Sequence, residues 1–220
     1  LTNCNGEIRA GSASLDLPAL TTIGGDGSIA STGNTVTDVD LHSLESVNGT
    51  LNLNEISADV EFLVLATING AVLLEGATGS LFQFPSLTGI DGTLSFNNSS
   101  IDIFSGGPTS VNGTLSFLGS AATSVDLPNL VTIDGLVNLS ECPNLTEIGM
   151  ENLTTINGEL RIQSSPMDQT AMDNLVQNLY NTLVSGPGSS GFIDLTGYQN
   201  SDPFISPAWS DLTSVITVIA

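Results

Sequence analysis

Apolar residues along this chain come in short alternating bursts rather than long runs. Leu51/Leu53, Val72/Leu74, Leu94/Phe96, Leu115/Phe117, Val137/Leu139 and Leu160/Ile162 are pairs separated by one residue. Period-two alternation over so few residues predicts tiny strands with one face inward and one outward. Each pair begins two residues after a glycine that closes an apolar-polar-Gly triplet. The triplets are Ile23-Gly24-Gly25, Val47-Asn48-Gly49, Ile68-Asn69-Gly70, Ile90-Asp91-Gly92, Val111-Asn112-Gly113, Ile133-Asp134-Gly135 and Ile156-Asn157-Gly158. Their final glycines follow one another by 24, 21, 22, 21, 22 and 23 residues. Asn-Gly and Asp-Gly are turn dipeptides, since Gly accepts positive φ and Asn or Asp tolerates it. Tight turns are therefore expected there.

A second short strand is expected upstream of the turns, in Leu15-Asp16-Leu17, Val39-Asp40-Leu41, Ile101-Asp102-Ile103 and Val125-Asp126-Leu127. A period of about 22 residues thus holds two or three strands and at least two corners, and no single unit can bury its own apolar face. Successive units must stack, like residue over like residue, about 4.8 Å apart. The expected fold is mainly β, a parallel β-solenoid of about seven coils.

The pattern Leu-x-x-Ile-x-Gly-x-Leu-x-Leu, preceded by Leu-Pro-x-Leu in Leu17-Pro18-Ala19-Leu20 and Leu127-Pro128-Asn129-Leu130, resembles receptor L domains and irregular leucine-rich-repeat solenoids. The stretch from Leu139 through Cys142 to Leu145 resembles the cysteine form of a leucine-rich repeat. The resemblance covers about residues 15–163 and implies a right-handed parallel β-helix. The disulfide-bearing ends of receptor L domains are missing, so growth-factor-receptor function is not implied.

The last quarter of the chain reads differently. Met167, Ala171, Met172, Leu175, Val176, Leu179, Tyr180, Leu183 and Val184 follow helical spacing, with Asp168 as N-cap and Gly186-Pro187-Gly188 as the stop. Phe192-Ile193-Asp194-Leu195 and residues 214–220 then read as strands. Residues 1–165 are expected to form the solenoid and 166–220 an αβ cap continuous with it, covering the last coil. This tail resembles the C-terminal caps of leucine-rich-repeat proteins from bacteria and their phages. No equivalent helical cap is legible at the N-terminus.

Charge narrows the functional classes. The chain has 220 residues, 23 acidic side chains and two basic ones, Arg9 and Arg161, for a formal charge of −21. Nothing is available to neutralise phosphates or dock on anionic lipid, so no nucleic-acid partner is expected. No apolar run reaches the roughly 20 residues of a membrane helix, so no membrane insertion is expected either. The Ser/Thr/Asn/Gly surface, the absence of lysine and seven Asn-x-Ser/Thr sequons point to an extracellular, cell-surface or virion setting. The sequons start at Asn48, Asn97, Asn98, Asn112, Asn138, Asn144 and Asn152. Cys4 and Cys142 belong to opposite ends of the stack, too far apart to pair. Cys142 is expected in the core, and Cys4 is the one placed to cross-link with a neighbour.

Counting back nine residues from each turn glycine gives an acidic ladder of Asp16, Asp40, Glu61, Gln83 and Asp126, ending at Gly149. Asp102 joins it if the segment 105–108 holds a two-residue insertion. Like charges stacked at strand spacing repel by about 1 kcal/mol per pair in water, and Ca²⁺ bridging carboxylates would relieve that. The competing reading is a solvated face that keeps the sheet soluble, and no other cofactor is implied. A second outward row, Thr50/Asn52, Thr93/Ser95, Thr114/Ser116 and Glu159/Arg161, is interrupted by Ala71/Leu73 and Leu136/Asn138 and reads as an ordinary exposed strand face. His42 stands where Pro18, Pro85 and Pro128 stand in other coils, as a corner residue. Tyr198, Phe204 and Trp209 are the remaining aromatic candidates for sugar stacking.

With no concentrated chemistry, the leading expectation is a non-enzymatic, surface-exposed structural or adhesive protein that self-associates into a filament or surface assembly. The alternative is a module binding a surface glycan, protein or host receptor, such as a virion fibre tip. A polysaccharide-acting enzyme is the third reading.

Overall fold

The computed structural model describes residues 1–10, 14–31, 36–79, 82–105, 107–184, 186–196, 213 and 216–219. Its strands are two to four residues long and every pairing between them is parallel. They stack into a β-solenoid of about eight turns. One sheet has eight strands, from Asn3–Cys4 through Thr67–Ile68 to Thr155–Ile156, and a second has ten, from Glu7–Ala10 through Ala71–Leu73 to Thr217–Ile219. The third side is broken into three small sheets. These are Ser14–Asp16 with Asp38–Asp40, Val60–Glu61 with Phe82–Gln83, and Ile103–Ser105 with Ser124–Asp126 and Glu147–Gly149.

The alternating pairs lie where the pattern puts them. Leu51, Val72, Leu94, Leu115, Val137 and Leu160 stack in register and are all buried, as are Leu53, Leu74, Phe96, Phe117, Leu139 and Ile162. Six phenylalanines, Phe62, Phe82, Phe84, Phe96, Phe104 and Phe117, fill the middle of the core. Phe62 stacks on Phe84 at 4.8 Å and Phe96 on Phe117 at 5.0 Å, while Phe104 meets Phe117 edge-on at 5.1 Å. Such pairs add about 0.5–1.5 kcal/mol each beyond the area they bury.

The turn glycines are required for a reason other than the expected positive φ. None of Gly49, Gly70, Gly92, Gly113, Gly135 or Gly158 is among the positive-φ residues. What they share is closeness: a Cβ on Gly92 would lie 1.8 Å from the carbonyl oxygen of Gly70, and one on Gly113 1.9 Å from that of Gly92. The backbone of each coil rests on the glycine carbonyl of the coil before, so no side chain fits. Register also extends the column. Glu7 pairs with Ser28 and Ser28 with Thr50, which stacks Gly6, Gly27 and Gly49 and makes Gly27, not Gly25, the member from that coil. Cys4-Asn5-Gly6 is therefore a triplet in its own right, with Cys4 paired to Ile23. At the other end Gly191 continues the column, its Cβ position 2.0 Å from the carbonyl of Gly158.

The left-handed backbone sits at the next corner instead. Glu55, Gly76, Asn98, Gly119, Glu141 and Ser164 have φ between 53° and 68°, one per coil. Only two are glycine, which hid this column from a search for turn dipeptides.

Polar side chains bind coil to coil. Asn69 Nδ2 donates to Asn48 Oδ1 at 2.7 Å, Asn112 Nδ2 to Asp91 Oδ1 at 2.5 Å and Asn157 Nδ2 to Asp134 Oδ1 at 2.8 Å. Thr88 and Thr109 donate their hydroxyls to the carbonyls of Ala66 and Thr88, one coil back.

The helix Gln169–Leu183 begins at Asp168, whose carboxylate accepts from the Ala171 N–H at 2.8 Å. Met172, Leu175, Val176, Leu179 and Leu183 are buried under it, whereas Val184 is 51% exposed and belongs to the end of the helix rather than its apolar face. Phe192–Asp194 then pairs with Glu159–Arg161, and Thr217–Ile219 with Phe192–Asp194, adding two strands to the ten-stranded sheet. Among the described residues no helix is long and apolar enough to cross a membrane.

Cys4 and Cys142 are both buried and unbridged. Cys4 is 3% exposed, which removes the expected reach toward a neighbouring molecule. Cys142 donates its thiol to the Phe117 carbonyl, and burial pushes its pKa up, away from the reactive thiolate.

Candidate functional site

The broken third side of the solenoid carries the acidic ladder. Asp16 stacks on Asp40, Glu61 on Gln83, Ser105 on Asp126 and Asp126 on Gly149. Asp102 is not part of it. Phe104 is buried and pairs with Val125, so Ser105 takes the ladder position and Asp102 falls three residues earlier, where its carboxylate accepts from the Thr123 hydroxyl at 2.8 Å. The physical reason is the phenylalanine stack. A ring wedged between Phe84, Phe96 and Phe117 buries more apolar surface than an isoleucine in its place, and that preference sets the local register. Among the described residues, no three His, Cys, Asp or Glu side chains converge closely enough to hold a metal ion.

Two cavities lined by described residues open on this side. The smaller, 270 Å³, is lined by Val39, Asp40, Leu41, His42, Asp59 and Glu61. His42 stands at the corner as expected, and its Nδ1 lies 2.6 Å from Asp40 Oδ1. Hydrogen bonds from the His42 side chain and backbone hold the Asp40 carboxyl below its ordinary range.

The larger, 550 Å³, is a groove between the strand Glu147–Gly149 and the helix Gln169–Leu183. Thr146, Glu147, Gly149 and Glu151 form one bank, and Met167, Asp168, Ala171 and Leu175 belong to the other. Gly149 is the ladder position without a side chain, and Asp126 uses the room. Asp126 Oδ1 lies 2.4 Å from where a Gly149 Cβ would stand, and Glu151 Oε1 lies 3.3 Å from the same point. Burial pushes the Asp126 pKa up, and the charges of Glu151 and Glu147 push it further. Glu147 and Glu151 were not singled out by counting along the ladder, because they flank its rungs. The helical spacing places a helix after this strand, but no local signal shows that it stands off and leaves a groove.

No basic side chain answers this charge. Arg9 is paired with Glu7 at 2.6 Å, and Arg161 forks onto Glu159, with Nη2 2.9 Å from Oε2. The outward row of the ten-stranded sheet departs from the expected exposed face. Ser95, Ser116 and Asn138 are nearly buried, with Ser95 donating to Glu75 at 2.8 Å and Ser116 to Asn97 at 2.6 Å. Of the sequon asparagines, Asn48, Asn98, Asn112, Asn144 and Asn152 are exposed and Asn138 is buried. Tyr198, Phe204 and Trp209 lie outside the described residues.

No family model matches the chain, and no curated protein or solved structure matches it either.

Proposed function

We propose that this is a non-enzymatic structural or adhesive protein of an extracellular or surface setting, which assembles by self-association. One observation carries the reading. A single parallel sheet runs from Glu7–Ala10 to Thr217–Ile219, and among the described residues its first and last strands each have a neighbour on one side only. The two edges of a parallel sheet are unlike and complementary, so one copy's last strand suits the next copy's first. That contact is head-to-tail and does not close on itself, and its product is a filament. Thr217 and Ile219 of the last described strand are exposed. The Asn/Asp and Thr columns bond each coil to its neighbour. This gives stiffness rather than chemistry.

Light scattering across a concentration series, with and without Ca²⁺, tests it. Growth into species larger than the 22.6 kDa chain is expected. Growth that needs Ca²⁺ would give the carboxylates of Asp16, Asp40, Glu61 and Asp126 a bridging role. A monomer at every concentration would overturn the reading.

A further inference from the structure

We propose that the groove between Glu147–Gly149 and the helix Gln169–Leu183 is a docking site for an extended, lysine- or arginine-bearing segment of another protein, which adds to this strand as the next rung of its sheet.

The sheet Ile103–Ser105, Ser124–Asp126, Glu147–Gly149 ends at this strand, although the ten-stranded sheet continues past the same coil into Phe192–Asp194. Alternate residues of a parallel strand direct both backbone groups toward one neighbour. The Glu147 N–H donates to Thr123 and the Gly149 carbonyl accepts from Leu127, both on the preceding coil. Ile148 between them therefore turns its N–H and C=O the other way, toward the helix, while its side chain stays in the core with 8% exposure. Among the described residues no backbone partner meets these groups, which are the ones that strand addition uses. The helix stands off far enough to leave 550 Å³ there, and its bank is mixed, with exposed Thr170, Asn174 and Asn178 around half-buried Ala171 and the buried Met167 and Leu175. At strand geometry this is room for about three or four extended residues, matching the three-residue edge.

Charge selects the occupant. Glu147, Glu151 and Asp168 line the groove, with Asp126 behind Gly149. The chain's two arginines are committed to Glu7 and Glu159. A second copy, with 23 acidic and two basic side chains and both arginines committed, offers this groove no basic segment. A segment alternating basic residues with strand-favouring apolar ones meets the acidic rim with one face and the mixed helix bank with the other. This contact is separate from the sheet edges proposed for self-association and does not depend on them.

Fluorescence anisotropy on the full chain, with a labelled peptide alternating lysine and valine, tests the proposal. Saturable binding is expected, weakened at least about tenfold by Glu147→Lys with Glu151→Lys, and unchanged by Asp40→Asn with Glu61→Gln at the other cavity. A glutamate–valine peptide and a proline-interrupted lysine peptide should fail to bind. Hydrogen exchange on the unaltered protein needs no variant to fold, and the Ile148 amide should slow when the lysine peptide is bound. Any of four results overturns the proposal. These are equal binding of either control peptide, equal loss on changing Asp40 and Glu61, an Ile148 amide indifferent to the peptide, or a groove already filled by a second copy, seen as a dimer that Glu147→Lys dissolves.

Discussion

The glycine side and the ladder side of this solenoid obey different rules. On the glycine side the chain passes from the eight-stranded to the ten-stranded sheet in the same three steps almost every time. Thr50 follows Val47, Ala71 follows Ile68, Thr93 follows Ile90 and Glu159 follows Ile156 by that interval. On the ladder side the path from the same outward row varies. Asp16 follows Arg9 by seven positions, whereas Gly149 follows Asn138 by eleven. Both sheets bordering the glycine corner are unbroken, while the ladder side is three fragments. Backbone resting on backbone holds this interval constant at each of these glycine corners, and the two extra residues between Ile23 and Gly27 leave Gly27 in the column, so the glycine corner enforces register. Side chains resting on side chains absorb insertions, and both cavities open where they do.

The sharpest way to break this contrast is to add one methyl group. Gly92→Ala puts a Cβ 1.8 Å from the Gly70 carbonyl oxygen, with backbone rather than a flexible side chain as the obstacle. The cost should exceed ordinary overpacking and reach about 5 kcal/mol or more, measured by urea unfolding. Gly25→Ala, only a few residues outside the column, meets nothing within 4 Å and should be neutral or stabilise by up to about 1 kcal/mol. Equal effects at the two sites would mean that the column does not set the register.

A smaller effect probes the polar column that flanks the glycines. Asn112→Asp replaces the donor 2.5 Å from Asp91 Oδ1 with a second carboxylate. The pair should cost about 1–2 kcal/mol at pH 7 and recover as the pH falls into the carboxylate range, where one of the two takes a proton. Asn69→Asp is the control, because Asn48 beside it can turn its own amide to donate. Thermal unfolding of both at pH 7 and pH 4 separates a coil-to-coil bond from a bystander. Equal losses at both sites and both pH values would assign the column no directional bonding.

These rules also explain what was legible in the sequence. The 21–23-residue period, the inward pairs and the helix with its Asp168 cap could be read because each is a local pattern repeated or punctuated in place. The Cys4-Asn5-Gly6 triplet escaped because its apolar position holds a cysteine and its successor coil carries two extra residues before Gly27. Asp102 was misplaced because counting from a glycine assumes a rigid interval, and on the ladder side Phe104 packing overrides counting. The groove could not be read at all. Helical spacing reports the helix that stands where the small sheet would have had its next strand, but no spacing rule reports that it stands off from Glu147–Gly149 and leaves a groove.

The least disruptive test of the ladder side is Asp126→Asn. Burial raises the Asp126 pKa above its ordinary 3.8, and Glu151 and Glu147 raise it further. A folded-state pKa above the unfolded value means that the folded protein binds the proton more tightly, so stability falls as pH rises through that window. The ionised carboxylate is then a standing cost at neutral pH, fully present above the raised pKa and absent below the unfolded one. The amide removes that cost. Because the group is partly open to solvent, the gain should be a fraction of a kcal/mol, about 1–2 °C in Tm at pH 7. It should vanish near pH 3, where the wild-type carboxyl is protonated as well. Asp40 has the opposite sign: its lowered pKa contributes stability above pH 3.8 that is lost as pH falls through the depressed value, so Asp40→Asn should destabilise at pH 7. Opposite responses from two rungs of one ladder would show that the groove end is loaded with more negative charge than the chain can neutralise, which is the condition for recruiting a basic partner there. Parallel responses would reduce the ladder to a uniform solvated face.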